Sequence, residues 1–154
     1  MKKKKIILPP TYLFFCLILA LAFHFFLPLV SISAPGRFLG LFLLFLGLGI
    51  NIWTDNLFQE AKTTVKPYRK PVKLITKGPF RFSRHPMYLG FVLILVGIAF
   101  ILGSLSSLLG AVLMFFILET RFIPLEEKRL EEEFGQRYWH YKRRINRWVG
   151  FCRS

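Results

Sequence analysis

From residue 87 to residue 118 the chain runs for 32 residues without a charged side chain. As one helix rising ~1.5 Å per residue this run would be ~48 Å long, well beyond the ~30 Å hydrocarbon core of a bilayer. It must therefore break. Gly103-Ser104, with Ser106 and Ser107 just after, supplies the turn and predicts a tight hairpin with arms at 87–102 and 105–121.

Two earlier windows, 11–30 and 38–58, each hold about the ~20 predominantly apolar residues that a crossing needs. With hydrophobic content of 54% and only 19% charged residues, the chain would aggregate as a water-soluble domain and suits an integral membrane protein. The expected fold class is all-α: a single membrane domain over 1–154, a bundle of about four transmembrane helices whose last two form the hairpin. A cytoplasmic loop at 61–86 and a C-terminal amphipathic helix at 124–146 complete it.

Charge supports that count. Of 22 Lys and Arg residues, 4 lie at 2–5, 8 at 62–84, 9 at 121–153 and 1 at Arg37. Four spans put 21 of the 22 on one side, whereas three would oblige nine to cross. Because Lys and Arg are retained in the cytoplasm, both termini and the 61–86 loop are expected there. The formal charge of +14 then reflects topology and attraction to anionic lipid head groups, and no nucleic-acid partner is expected.

Lys2 to Lys5, the following apolar run and the small residues Ser31, Ser33 and Ala34 imitate a signal peptide. The run exceeds the usual h-region of ~7 to 15 residues and Pro35 would follow the cut, so a retained first span is expected. Cys16 inside that span and Cys152 near the other end form no disulfide framework. His24 has no ligating partner at suitable spacing; it reads as a satisfied interior or interfacial polar group, and no metal is expected.

Gly36, Gly40 and Gly47 recur at helical spacing and leave one face of the second span open to close helix approach. Asn51, Asp55 and Asn56 either hydrate its cytoplasmic end or line a polar cavity. In the loop, Pro67, Pro71 and Pro79 discourage helix, Gly78-Pro79 makes a turn, and Pro86 opens the third span. His85 is thereby held at a helix N-terminus. Pro124 starts the last helix with Glu126 and Glu127 in its first turn, and Leu130, Phe134, Tyr138, Tyr141 and Ile145 form its apolar stripe. Gly135 is a candidate bend, and Lys142, Arg143, Arg144 and Arg147 crowd the far end.

Because residues 87 and 118 are the two ends of one hairpin, Arg84-His85 and Glu126-Glu127 return to the same face. A salt bridge pinning two helix ends would account for this, and so would a binding site. The chemistry-bearing residues resemble a known family, the isoprenylcysteine carboxyl methyltransferases and related membrane phospholipid methyltransferases. The likeness covers about 72–148: Thr76 to Phe80, Arg84-His85-Pro86-Met87-Tyr88-Leu89-Gly90, then Glu126-Glu127, Leu130, Phe134-Gly135, Tyr138 and Tyr141.

That resemblance implies methyl transfer from S-adenosylmethionine, with S-adenosylhomocysteine as product, to a lipidic or prenylated acceptor in the bilayer. It implies a cytoplasmic cofactor site of Val72, Lys73, Leu74, Ile75, Phe80, His85, Pro86, Met87, Tyr88 and Glu126, capped by the C-terminal helix. Carboxylates suit a sulfonium and an ammonium, and aromatic walls suit adenine. The expected acceptor chemistry is carboxylate O-methylation or amine N-methylation; for an amine, Glu127 or His85 is the candidate base. Where the prenylcysteine enzymes place a substrate-holding arginine, Phe122 stands here, and its neighbour Arg121 is the candidate replacement. The absence of long additional N-terminal spans fits a compact relative in a prokaryotic inner membrane. Rival readings are a nicotinamide-dependent enzyme akin to membrane sterol reductases, and a non-catalytic membrane protein that binds a lipid or partner.

Overall fold

Proline sets where the first helix begins: Pro9 and Pro10 occupy the opening turn of α1 (Pro9–Phe26), where a missing N–H costs no hydrogen bond. The computed structural model describes residues 8–27, 34–62 and 72–150. The lysine run at 2–5, Ser31, Ser33, Pro67, Pro71 and Cys152 lie outside them. Five more helices follow: α2 (Ala34–Glu60), α3 (Pro86–Leu102), α4 (Leu108–Ile117), α5 (Ile123–Phe134) and α6 (Gln136–Arg144). Among the described residues there is no β-strand.

α2 and α3 run antiparallel at backbone contact, because glycine faces glycine. A Cβ placed on Gly40 would meet the Gly97 carbonyl oxygen at 2.7 Å, and one on Gly47 would meet that of Gly90 at 2.7 Å. Gly40 and Gly47 thus provide the small face expected of α2, and their partners on α3 complete it. On the other side of the bundle Gly110 of α4 lies against Cys16 and Ala20 of α1.

The predicted hairpin turn forms at Gly103, whose left-handed φ of +68° is tolerated best by glycine. Its N–H donates to the Phe100 carbonyl and that of Ser104 to the Ala99 carbonyl, satisfying two of the orphan groups at the end of α3. Ser106 Oγ and Ser107 Oγ then donate to the carbonyls of Phe23 and Ala20, at 3.2 and 3.0 Å, tying the turn to α1.

The second arm differs from expectation in one respect: no new helix starts at Pro124. A π-turn at Leu118–Phe122 carries α4 straight into α5. Pro124 has no N–H to offer the Thr120 carbonyl, and the wider turn just upstream absorbs that loss. The C-terminal helix is also two helices, divided at Gly135 with φ +48°, and α6 ends at Arg144.

Among the described residues three helical segments, Pro9–Phe26, Pro35–Glu60 and Leu105–Phe134, are long and apolar enough to cross a membrane by length and composition. α3 is apolar but shorter, at 17 residues. The third segment is apolar as far as Leu118; charge begins at Glu119, and α5 is too rich in Glu, Lys and Arg to lie in hydrocarbon. Leu95, Met114, Leu118 and Ile123, all fully buried, join Tyr88 and Phe122 in the main core, while Phe14, Phe25, Phe38, Phe42 and Phe45 point outward. A bundle that turns so many phenylalanines outward suits a lipid surround.

Candidate functional site

At the open end of the hairpin the chain makes a 3₁₀ turn at Gly78–Arg81 and then enters α3 with His85 as N-cap and Pro86 as first helical residue. Gly78, at φ +59°, makes the bend, and a Cβ there would strike Leu57 at 2.8 Å. Tyr141 of α6 anchors the turn: its hydroxyl donates to the Phe80 carbonyl at 2.7 Å. Phe80, Tyr138, Tyr141 and Ile145 form a second buried cluster, against which Leu57, Phe58, Leu74 and Ile75 pack.

The expected meeting of Arg84-His85 with Glu126-Glu127 occurs. The His85 imidazole, 1% exposed, lies between the two carboxylates: Nδ1 is 3.6 Å from Glu126 and Nε2 is 3.4 Å from Glu127. Its far face stacks on Tyr88, with centroids 5.6 Å apart and planes 8° off parallel. Burial opposes a charge on His85, but the carboxylates of Glu126 and Glu127 outweigh it and raise the imidazole above its ordinary value.

Glu127 is the buried hub. Burial alone would raise its carboxyl, yet His85, Arg147 and Arg84 together hold it well below the usual carboxylate range. Arg84 Nη1 reaches Oε1 at 2.9 Å, Arg147 Nη2 donates to Oε2 at 2.9 Å, and Lys142 Nζ stands 3.8 Å away. Arg147 also pairs with Glu119, which accepts a hydrogen bond from Trp148 Nε1 at 2.8 Å.

Glu126 differs in its access to solvent, with 27% of its side chain exposed. It lines a cleft with Phe58, Phe80, Arg84, His85, Pro86, Met87 and Tyr88. Seven sequence-nominated or adjoining motif residues therefore surround one space: Phe80, Arg84, His85, Pro86, Met87, Tyr88 and Glu126. Lys73, Leu74 and Ile75 line a second cleft with Leu57, Glu60 and Thr76. Leu74 and Ile75 of the second cleft pack against the buried cluster to which Phe80 of the first belongs.

Three nominated residues stand apart. Val72 is 77% exposed and lines neither cleft. Glu127 lies behind His85. Arg121 is exposed, while Phe122 is buried between Tyr12 and Tyr88, so the π-turn leaves phenylalanine inside and arginine outside. Sequence reasoning missed Glu119, Ser83 and the role of Arg147. Glu119 is the first charge after the apolar run, a position that could have singled it out.

The set can grip a zwitterion: Glu126 for a cation, Arg84 and His85 for an anion, and aromatic faces for a flat ring. The family described as phospholipid methyltransferase matches residues 35–137. A probable protein-S-isoprenylcysteine O-methyltransferase of Oryza sativa subsp. indica is 33% identical over 84 residues, 54% of this chain and 44% of that protein. Protein-S-isoprenylcysteine O-methyltransferase B of Arabidopsis thaliana is 36% identical over 80 residues, 51% of this chain and 40% of its own. Methanethiol S-methyltransferase 1 of Bradyrhizobium diazoefficiens is 33% identical over 98 residues, 64% of this chain and 33% of its own. The chain thus spans less than half the length of each of these relatives. No solved structure matches it. Since the family match takes in α2, the cleft and both glutamates of α5, the chain belongs to the phospholipid methyltransferase family.

Proposed function

We propose that this protein transfers a methyl group from S-adenosylmethionine to a lipidic or prenylated acceptor held in the bilayer. The observation that carries the reading is the convergence of Arg84, His85 and Glu126 on one aromatic-walled cleft at the mouth of the hairpin. The donor set fits the cofactor: Arg84 Nε is buried with no hydrogen-bond partner among the described residues, suiting it to the methionine carboxylate. Glu126 is the partly exposed carboxylate for the ammonium or sulfonium, and Phe58, Phe80 and Tyr88 are the walls for adenine. Lys73, Leu74 and Ile75 extend this site along the neighbouring cleft.

Bound there, S-adenosylmethionine would supply an electrophilic methyl group and depart as neutral S-adenosylhomocysteine. The protein's part is alignment and exclusion of water. Glu127 is saturated by two guanidinium groups, so its work is to hold His85; His85 and Glu126 face the reacting groups. An acceptor carboxylate would arrive already ionised, and an amine would pass its proton to Glu126 or, when neutral, to His85. The relatives' names include O- and S-methylation, which supports a methyl acceptor while leaving its atom open. Charge bias favours a cleft and both termini on the cytoplasmic side of a multi-pass membrane protein.

Purified protein in nanodiscs should bind S-adenosylhomocysteine by calorimetry and ignore NADPH. Glu126→Gln and His85→Ala should each weaken binding by about ten- to hundredfold, the loss of one charge-assisted contact. Wild-type protein without binding at millimolar cofactor product would reject the reading. Methyl-labelled S-adenosylmethionine should label extracted lipid, and mass analysis of that lipid identifies the acceptor.

A further inference from the structure

After α6 the chain folds back onto the loop that carries His85. The Arg84 N–H donates to the Asn146 carbonyl at 3.1 Å and the Gly150 N–H to the Phe82 carbonyl at 2.8 Å. Ser83 Oγ donates to the Arg147 carbonyl at 3.2 Å and accepts from the His85 N–H at 3.1 Å. Residues 145–150 are therefore a strap laced to the N-cap of α3, and they deliver the Arg147 guanidinium to Glu127.

Arg147 meets that carboxylate with two donors, Nε to Oε1 at 3.2 Å and Nη2 to Oε2 at 2.9 Å, while Nη1 reaches Glu119. A planar fork fixes the plane of a carboxylate as well as its charge. Oε1, so fixed, is the atom that meets His85 Nε2. The other charges around this pair do not set that plane: Arg84 approaches Oε1 alone, Lys142 is a point charge at 3.8 Å, and Glu126 addresses the opposite ring nitrogen. Tyr88 stacks on the ring face, and the buried Tyr138 completes the surroundings.

We propose that Arg147 is a positioning residue of the cleft: by clamping the plane of Glu127 it fixes the His85 imidazole and leaves Glu126 to face the ligand. This deepens, and rests on, the reading of the cleft as a cofactor site.

The test uses protein labelled with ¹⁵N-histidine in nanodiscs, with S-adenosylhomocysteine as probe. Wild-type protein should show one ring N–H protected from exchange, assigned to His85 by its loss in His85→Gln. Arg147→Gln should abolish that protection and weaken binding at least about tenfold, the usual cost of removing a partner that orients a binding group. Arg147→Lys, which keeps the charge without the fork, should also lose protection while recovering part of the affinity. Trp148→Phe breaks the bond to Glu119 and leaves the fork, so it should preserve both readouts. The proposal is overturned if Arg147→Gln, or Arg147→Lys should the first variant not fold, keeps His85 protected and binds like wild type. It is equally overturned if Trp148→Phe loses both readouts as fully as Arg147→Gln, because the effect then belongs to strap docking. Failure of the wild type to bind the probe would remove the cofactor reading, whereas the protection pattern across the variants still decides what Arg147 does.

Discussion

Glu127 is 4% exposed and ionised among Arg84, His85, Arg147 and Lys142, so its value to the fold is conditional on its partners. Removing it alone strands cations in a desolvated place, and Glu127→Ala should cost about 3 kcal/mol or more by chemical unfolding in detergent. The same cluster fixes how stability depends on pH. His85 is raised from 6.5 on folding, so its contribution is complete below that value and fades as pH climbs through the folded value. Glu127 is lowered from 4.5, so its contribution is complete above that value and fades as pH falls through the folded one. Stability should therefore be greatest between about 4.5 and 6.5, and His85→Gln should flatten the alkaline limb of a plot of Tm against pH while sparing the acid limb. An unchanged alkaline limb would show that His85 is not charged in the folded cluster. At this scale the sequence made His85, Glu126 and the motif around Pro86 legible, because a proline-opened helix and a closed hairpin leave them little choice of position. Arg147 was hidden among nine basic residues near the C-terminus, since what selects it is a strap whose path no local pattern encodes.

Among the elements, what was readable followed from length and side-chain size. A charge-free run too long for one crossing had to turn, and Gly103 is the residue that turns it. Glycines at helical spacing on α2 had to face a close neighbour, and they face Gly90 and Gly97. The π-turn was unreadable because it answers a tertiary demand, keeping Phe122 in the core while α5 aims Glu126 and Glu127 at His85; Pro124 alone suggested a fresh start. A glycine of α3 at the seam and one on the open face of α2 give a sharp contrast. Gly97→Val would drive a side chain into the Gly40 carbonyl at 2.7 Å and part α2 from α3, at about 1 to 3 kcal/mol by analogy with overpacked cores. Gly49→Ala meets nothing within 4 Å and should be neutral or stabilise by up to about 1 kcal/mol through helix propensity. Thermal unfolding of the pair in one detergent checks both, and equal effects would mean that α2 and α3 do not touch where their glycines meet.

For the molecule as a whole, the decisive relation is between the charge map and the hairpin. Lys77 and Arg81 precede α3, Arg121 and α5 follow the second arm, and the turn at Gly103 stands away from both by the length of α3, ~26 Å for 17 residues. That is slightly less than a hydrocarbon core, so the turn should sit just within the far interface. Ser104, Ser106 and Ser107 are buried there and satisfied by one another or by α1, as backbone and hydroxyls at such depth require. Leu105, 48% exposed on the turn, and Lys77, exposed before α3, then mark opposite faces. In a background with Cys16 and Cys152 replaced by alanine, Leu105→Cys should react with a membrane-impermeant maleimide added outside intact cells, and Lys77→Cys only after the membrane is opened. The reverse labelling would invert the orientation yet leave the cleft intact, whereas labelling of both from one side would place the turn and the basic loop together. That last result would break the argument linking the apolar run to the site, because Arg84-His85 and Glu126-Glu127 share a face only if the chain goes across and comes back.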